Sequence, residues 1–140
     1  MKKVFAFFLA AMFAANLFAG EYPDLSIKEL KQAITDKKVT ILDVNGSRSF
    51  AKRHIPSAID FSKVGKELAG SLPKDKGALI VAYCGGPSCG AYKRAASAAE
   101  KLGYTNVKHL SAGISGWLKA GEKTEKAKKK KAAKAKAKGK

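Results

Sequence analysis

One cysteine of this sequence stands where a reactive thiolate could form. Cys84 follows an apolar stretch, residues 79–83, that is rich in β-formers, and it precedes a loop of small residues and a helical pattern over residues 91–102. Backbone N–H groups in such a loop, together with the positive end of a helix dipole, stabilise an anion. At a helix N-terminus the pKa of a cysteine thiol falls from about 8.5 to between about 3.5 and 7.5. We therefore predict that Cys84 is a reactive thiol rather than a small core residue.

The loop after Cys84 supplies the candidate binding surface for an anionic substrate. It consists of Gly85, Gly86, Pro87, Ser88, Cys89 and Gly90. The two consecutive glycines let the backbone turn so that successive amide groups can point inward. Two residues outside the loop are candidate supporting residues. Arg94 lies about one turn into the predicted helix, and Asp43, at the end of an earlier strand, is expected to organise the loop rather than to perform chemistry.

The sequence resembles the rhodanese-like sulfurtransferases in four segments that occur in the order and spacing of that family. Beside the cysteine loop, they are Ile41-Leu42-Asp43-Val44, His54-Ile55-Pro56-Ser57-Ala58-Ile59 and Ala112-Gly113-Ile114-Ser115-Gly116-Trp117. Any one segment is weak evidence, but their combination is specific. The resemblance implies an α/β fold, a rhodanese-like three-layer domain in which a central, mostly parallel sheet is flanked by helices.

The resemblance also implies a persulfide mechanism. In this mechanism Cys84 attacks a sulfane sulfur, such as that of thiosulfate, becomes Cys-S-SH and passes the sulfur to a thiophilic acceptor. Inward N–H groups would bind the anionic donor without a separate general base. The six residues from Cys84 through Cys89 match the loop length of the sulfur-transferring members, whereas the arsenate-reducing and phosphatase members have a longer loop. Small sulfur-containing donors and thiol acceptors are therefore the expected partners.

Three residues depart from the family pattern. Pro87 stands where many active members carry glycine, and Cys89 stands where they carry arginine. Asn45 ends the segment that is usually Asp-Val-Arg, so an ion pair of that segment is lost. The loop thus lacks the charge that would steer a doubly charged donor.

Two function classes follow from these departures. Arg94, or Arg53 with His54, are candidates to replace the missing charge. The protein is either an exported sulfurtransferase that uses Cys84, or a rhodanese-like domain without turnover that serves as a redox or sulfur-carrier binding module tethered by its basic tail.

Cys89 is the second of only two cysteines, five positions after Cys84. The pair is a disulfide, a nucleophile with its resolving thiol, or an accident of composition. As a resolving thiol, Cys89 would attack a persulfide or sulfenic acid on Cys84 and leave a disulfide that a small thiol reopens. The alternative is that Cys89 packs under the helix start. The separation of His54 and His109 does not fit a structural zinc module, so neither a metal nor a cofactor is predicted.

Alternating strands and helices are predicted around these motifs. Ser26-Ile27-Lys28-Glu29 is a capping box that opens the first helix. The predicted strands cover residues 39–44, 58–60, 79–83 and 107–110, and the further helices cover residues 49–53, 64–68 and 91–102. Gly113 and Gly116 are expected in a loop with positive φ, and Trp117 in the core. In such folds ligands bind at the carboxyl ends of the strands, where Cys84 lies.

The N-terminus has the pattern of a secretory signal peptide. Two lysines precede an apolar run over residues 4–18 and the small residues Ala19 and Gly20. We expect residues 1–19 to be the signal peptide and the mature protein to be exported, to the periplasm of a bacterium. Residues 20–121 then form one rhodanese-like domain.

Residues 122–140 are expected to be a disordered basic tail. They consist almost wholly of lysine, alanine and glycine and cannot bury a core. Ten lysines and two glutamates give this segment eight of the chain's seventeen net positive charges. The expected partner of the tail is an anionic membrane surface or envelope polymer, and nucleic acid is an unlikely partner for an exported protein.

Overall fold

Four parallel strands form the centre of the fold, which a computed structural model describes for residues 22–128. The strands are β1 (Val39–Asp43), β2 (Ile59–Asp60), β3 (Leu79–Tyr83) and β4 (Val107–His109). Their order in the sheet is β2-β1-β3-β4, and β1 pairs with β3 along its full length. The predicted signal peptide and residues 129–140 of the predicted tail lie outside the described residues.

The helices lie between and after the strands. They are α1 (Ile27–Thr35), α2 (Ser47–Lys52), α3 (Phe61–Val64), α4 (Leu68–Ser71), α5 (Tyr92–Lys101) and α6 (Gly113–Lys119). α1 begins with the predicted capping box: the Ser26 hydroxyl accepts a hydrogen bond from the Glu29 N–H, and the Glu29 carboxylate accepts one from the Ser26 N–H. Within residues 22–128, no helix is long and apolar enough to cross a membrane.

Two helical segments differ from the prediction. The single helix expected over residues 64–68 is divided into α3, a 3-10 turn (Gly65–Glu67) and α4, because Gly65 adopts a φ of 40° that ends α3. The loop expected around Gly113 and Gly116 is instead the helix α6. Only Gly113 has a positive φ there. Gly116 lies inside the helix, where a Cβ atom would come within 2.6 Å of the Ala112 Cβ atom.

The pleat of β3 decides which layer each of its side chains joins, because successive residues of a strand point to opposite faces. Ala82 and Cys84 belong to a buried cluster that includes residues of α4 and α5. Val81 and Tyr83 belong to a second cluster, which includes residues of α1 and α6. The sheet is therefore covered on both faces, which confirms the predicted three-layer α/β fold.

The chain stays hydrogen-bonded to the domain over residues 122–128, although its composition placed this segment in the disordered tail. His54 and Glu125 exchange two backbone hydrogen bonds of 2.9 Å. The indole N–H of Trp117 donates to the carbonyl oxygen of Lys123 at 2.8 Å. These contacts use backbone groups of the segment, so they need no apolar side chains. For that reason they leave no signal in the composition.

Deleting residues 122–140 should destabilise the domain, whereas deleting residues 129–140 should not. The longer deletion removes the pairing of His54 with Glu125 and leaves the buried Trp117 N–H without its acceptor. We expect a loss of about 3–5 kcal/mol in the free energy of unfolding, since each of the two hydrogen bonds contributes about 1 kcal/mol and an unsatisfied buried donor costs about 1–3 kcal/mol. Urea unfolding of both variants and the full chain measures this. Equal midpoints for all three would show that the segment does not stabilise the fold.

Candidate active site

Cys84 lies directly after β3, at the carboxyl end of the sheet, and its side chain is only 2% exposed. The start of α6 holds the backbone around it. Ile114 N–H donates to the Cys84 carbonyl oxygen at 2.9 Å, and Ser115 N–H donates to the Gly85 carbonyl oxygen at 3.0 Å. The first turn of α6 therefore fixes the beginning of the cysteine loop.

Two glycines allow this close contact between the loop and α6. At Gly113, whose φ is 57°, an added Cβ atom would lie 2.6 Å from both the Cys84 carbonyl oxygen and the Gly86 nitrogen. At Gly86 an added Cβ atom would lie 2.7 Å from the Ser115 hydroxyl oxygen. A larger residue at Gly113 would meet backbone that cannot move away without displacing the cysteine loop. The two sequence motifs thus touch one another in the fold.

Asp43 supports the other side of the loop through a buried hydrogen-bond network. Its side chain is 1% exposed. One carboxylate oxygen accepts hydrogen bonds from the backbone and side-chain N–H groups of Asn45, at 2.7 and 2.9 Å. The other accepts from the Tyr83 hydroxyl, which itself accepts a hydrogen bond of 3.1 Å from Ile55 N–H. In this geometry Asp43 holds Asn45 beside the loop and Tyr83 in the strand that leads to Cys84.

The Tyr83 hydroxyl remains protonated within this network. Burial, followed by the charge of the adjacent Asp43 carboxylate, raises the pKa of Tyr83 well above its ordinary value. A protonated hydroxyl can donate to Asp43 while it accepts from Ile55 N–H. The network is therefore suited to positioning and offers no proton to a reaction near neutral pH.

A basic cleft of about 310 Å³ opens between α2 and α6, next to the first loop glycines. This α2–α6 cleft is lined by Asn45, Ser49, Lys52, Arg53, Ile114, Ser115 and Leu118. Asn45 and Ser115 border the loop, since added Cβ atoms at Gly85 and Gly86 would approach their side-chain oxygens. The cleft thus contains two cations, Lys52 and Arg53, together with two residues that border the cysteine loop. Arg53 was predicted from the sequence as a source of positive charge, whereas Lys52 was not, because only the fold shows that the end of α2 lines this cleft.

The other basic candidates lie elsewhere. Arg94 is an exposed residue of α5 and does not line the α2–α6 cleft. His54 is buried, its Nδ1 atom is 2.8 Å from the Phe50 carbonyl oxygen, and its ring stacks on the Phe50 ring at 3.7 Å. Among residues 22–128, no group of three or more His, Cys, Asp or Glu side chains could hold a metal ion.

A second cleft of about 340 Å³ borders the far end of the loop, between α5 and β4. Its lining includes four loop residues, Pro87, Ser88, Cys89 and Gly90, together with Tyr92 and Lys93 of α5 and His109 of β4. This α5–β4 cleft does not share any lining residue with the α2–α6 cleft. The cysteine loop therefore borders a different cleft with each of its two ends.

Cys84 and Cys89 are joined by a disulfide that closes the loop, with their Cα atoms 6.3 Å apart. The loop also contains a hydrogen bond of 3.0 Å from Cys89 N–H to the Gly86 carbonyl oxygen. The two sulfur-bearing residues differ in exposure. Cys84 is buried under the loop, whereas Cys89 is partly exposed and lines the α5–β4 cleft.

Comparison with known proteins places this site in a family. The profile of the Rhodanese-like domain matches residues 26–120, and a search of curated proteins found no match. Among solved structures, the BH2092 protein from Bacillus halodurans is 28% identical, with a TM-score of 0.64 over 75% of this chain and 77% of that one.

Two sulfur-transferring enzymes share the fold. A thiosulfate sulfurtransferase from Pseudomonas aeruginosa is 26% identical, with a TM-score of 0.60 over 76% of this chain and 20% of that one. The 3-mercaptopyruvate sulfotransferase SseA from Escherichia coli is 16% identical, with a TM-score of 0.61 over 76% of this chain and 51% of that one, and shows the fold alone. The matched residues run from the cap of α1 to the end of α6 and include the whole cysteine loop. The chain therefore belongs to the rhodanese-like family.

Proposed function

We propose that the protein is a sulfurtransferase that carries sulfane sulfur as a persulfide on Cys84. The observation that carries this proposal is the position of Cys84 at the end of β3, in a loop whose near end borders the basic α2–α6 cleft. Membership of the rhodanese-like family and the sulfurtransferases among its structural relatives support a role in sulfur transfer.

The α2–α6 cleft is the proposed site of an anionic sulfur donor such as thiosulfate. Lys52 and Arg53 line it and supply positive charge where the loop has none. The Cys84 thiolate attacks the sulfane sulfur, the sulfur–sulfur bond of the donor breaks, and sulfite leaves with the bonding electron pair. A thiolate acceptor then attacks the outer sulfur of the persulfide, so that the Cys84 thiolate leaves and is restored.

The disulfide favours a second candidate function. While Cys84 is bonded to Cys89, it has no free thiolate and cannot attack a donor. A domain that stays in this state would be a binding module without turnover, as the departures at Pro87 and Cys89 also suggest. The two candidates differ in whether the reduced protein takes up sulfur.

Reduced protein treated with thiosulfate should gain one sulfur atom on Cys84. We expect the Cys89→Ser variant to gain the same mass and the Cys84→Ser variant to gain none, because only Cys84 lies at the strand end. Intact-mass measurement before and after cyanide, which removes a persulfide sulfur, reads this directly. Circular dichroism checks that both variants fold. Uptake of sulfur by folded Cys84→Ser, or no uptake by the reduced wild-type protein, would contradict the assignment.

Neutralising Arg53 should weaken the binding of thiosulfate. For Arg53→Gln we expect KM to rise about two- to fivefold with little change in kcat, since a solvent-exposed charge contributes up to about 1 kcal/mol to an ion pair. Arg48→Gln is the matched control, because Arg48 lies on α2, which directly precedes Arg53, but does not line the cleft. Steady-state kinetics at low salt compares them. The same KM in both variants would place the donor elsewhere.

We also propose that the protein is exported and that its basic end holds it at an anionic surface. The signal-peptide pattern of residues 1–19 supports export. N-terminal sequencing of the protein from its native cells tests this: a chain that starts at Gly20 supports cleavage, and a chain that starts at Met1 contradicts it. Residues 129–140 contain seven lysines and no acidic residue. Near an anionic membrane each of these lysines contributes about 1 kcal/mol to binding.

Deleting residues 129–140 should abolish binding to anionic vesicles without changing sulfur uptake by Cys84. The attraction should also fade in salt, because the Debye length falls from about 10 Å at 0.1 M to about 3 Å at 1 M. Co-sedimentation of the full and shortened chains with anionic and neutral vesicles, at both salt concentrations, measures this. Equal binding of the two chains to anionic vesicles would show that the deleted residues do not form the tether.

A further inference from the structure

The two cysteine residues of the disulfide differ in exposure, and this difference favours one way of opening the bond. A thiolate reduces a disulfide by attacking one sulfur, while the other leaves as a thiolate. Cys84 is 2% exposed, whereas Cys89 is partly exposed and lines the α5–β4 cleft. An attacking thiolate in this cleft reaches Cys89, so the sulfur that leaves is that of Cys84.

The wall of the α5–β4 cleft contains a polar group that lacks a partner. His109 lines the cleft and is 7% exposed, and its ring stacks on the Tyr92 ring at 3.3 Å. Within the described residues, its Nε2 atom is buried without a hydrogen-bond partner. Such an atom typically costs about 1–3 kcal/mol, so its presence in a cleft wall points to a polar ligand. Burial lowers the pKa of His109, which keeps the ring neutral near pH 7.

The same cleft carries one exposed charge of each sign. Asp24 lines it, and its carboxylate is oriented by hydrogen bonds of 2.8 Å from the backbone N–H and the hydroxyl group of Ser111. Lys93, near the start of α5, supplies the positive charge. Asp24 and Lys93 line the same cleft as His109. A ligand that carries an ammonium group and a carboxylate complements this pair.

We propose that the α5–β4 cleft binds a small zwitterionic thiol, of which cysteine is the simplest, and directs its sulfur to Cys89. Asp24 binds the ammonium group and Lys93 binds the carboxylate. The ligand thiolate forms a bond to the Cys89 sulfur, the bond between Cys89 and Cys84 breaks, and Cys84 leaves as a thiolate. A second ligand thiolate then attacks the ligand's own sulfur in the mixed disulfide. It releases the oxidised ligand and the Cys89 thiolate, so two thiols supply the two electrons.

Reduction of the disulfide is separate from sulfur transfer, and its rate can be measured directly. The oxidised full chain is reduced with cysteine, cysteamine, 3-mercaptopropionate or 2-mercaptoethanol, and each rate is divided by the rate of the same thiol with a small model disulfide. We expect cysteine to be about fivefold to tenfold faster than the other three after this correction. Equal corrected rates for all four thiols would overturn the proposal, even if Cys84 transfers sulfur normally.

Two variants separate the contributions of the two charges. Asp24→Asn should remove the advantage of cysteine over 3-mercaptopropionate, which lacks the ammonium group. Lys93→Gln should remove the difference in corrected rate between cysteine and cysteamine, which lacks the carboxylate. Asp36→Asn and Lys101→Gln are matched controls, because both residues are exposed and outside the cleft. The rate with uncharged 2-mercaptoethanol should be the same in every variant, which also reports that the cleft remains folded. Retention of both advantages in the two cleft variants would contradict the assigned roles.

The attacked sulfur can be identified by trapping the mixed disulfide. Oxidised protein is treated with less than one equivalent of cysteine, quenched with acid and alkylated, and the tryptic peptide that contains both cysteines is fragmented. We expect the cysteine adduct on Cys89 and the alkyl group on Cys84. An adduct on Cys84 would show that the ligand approaches from the other side and would overturn the proposal.

Discussion

The contact between the first turn of α6 and the cysteine loop is the constraint on which the site depends. Two hydrogen bonds from α6 backbone N–H groups hold the carbonyl oxygens of Cys84 and Gly85. The approach is so close that Gly113 has no room for a side chain. With this end of the loop fixed, Cys84 keeps its place under the loop while Cys89, at the other end, faces a separate cleft. One short loop can therefore serve two binding sites.

Sequence patterns were sufficient where a local rule decides the structure. Short apolar stretches that alternate with helical patterns predicted all four strands within one residue, and the capping box at Ser26 located the start of α1. These patterns failed where contacts between residues far apart in the sequence decide the local structure. Gly113 and Gly116 indicated a loop, yet they are glycines because neighbouring atoms leave no room, and the segment is helical. Lys52 gave no local signal, because its role depends on which face of α2 meets the loop.

The distribution of charge around Cys84 differs from that of a loop with its own arginine. Here the cations are Lys52, the last residue of α2, and Arg53, which follows it, and the loop position carries the second cysteine instead. The Asp43 carboxylate is buried, accepts hydrogen bonds from Tyr83 and Asn45, and does not line this cleft. Cys89 thus stands in place of a fixed positive charge, and whether it is a thiol or part of a disulfide depends on the redox environment.

The hydrogen-bonded segment of residues 122–128 fixes where the lysine-rich residues 129–140 leave the domain. This point lies beside α2, because Ala127 N–H donates to the Ala51 carbonyl oxygen at 3.2 Å. From there the 12 residues 129–140 can span at most about 40 Å. An anionic surface repels small dianions from a layer about one Debye length deep, which is about 8–10 Å at moderate salt. If residues 129–140 bind such a surface, as proposed, their reach exceeds the depth of this layer, so the nearby α2–α6 cleft can open into solution in which dianions are not depleted.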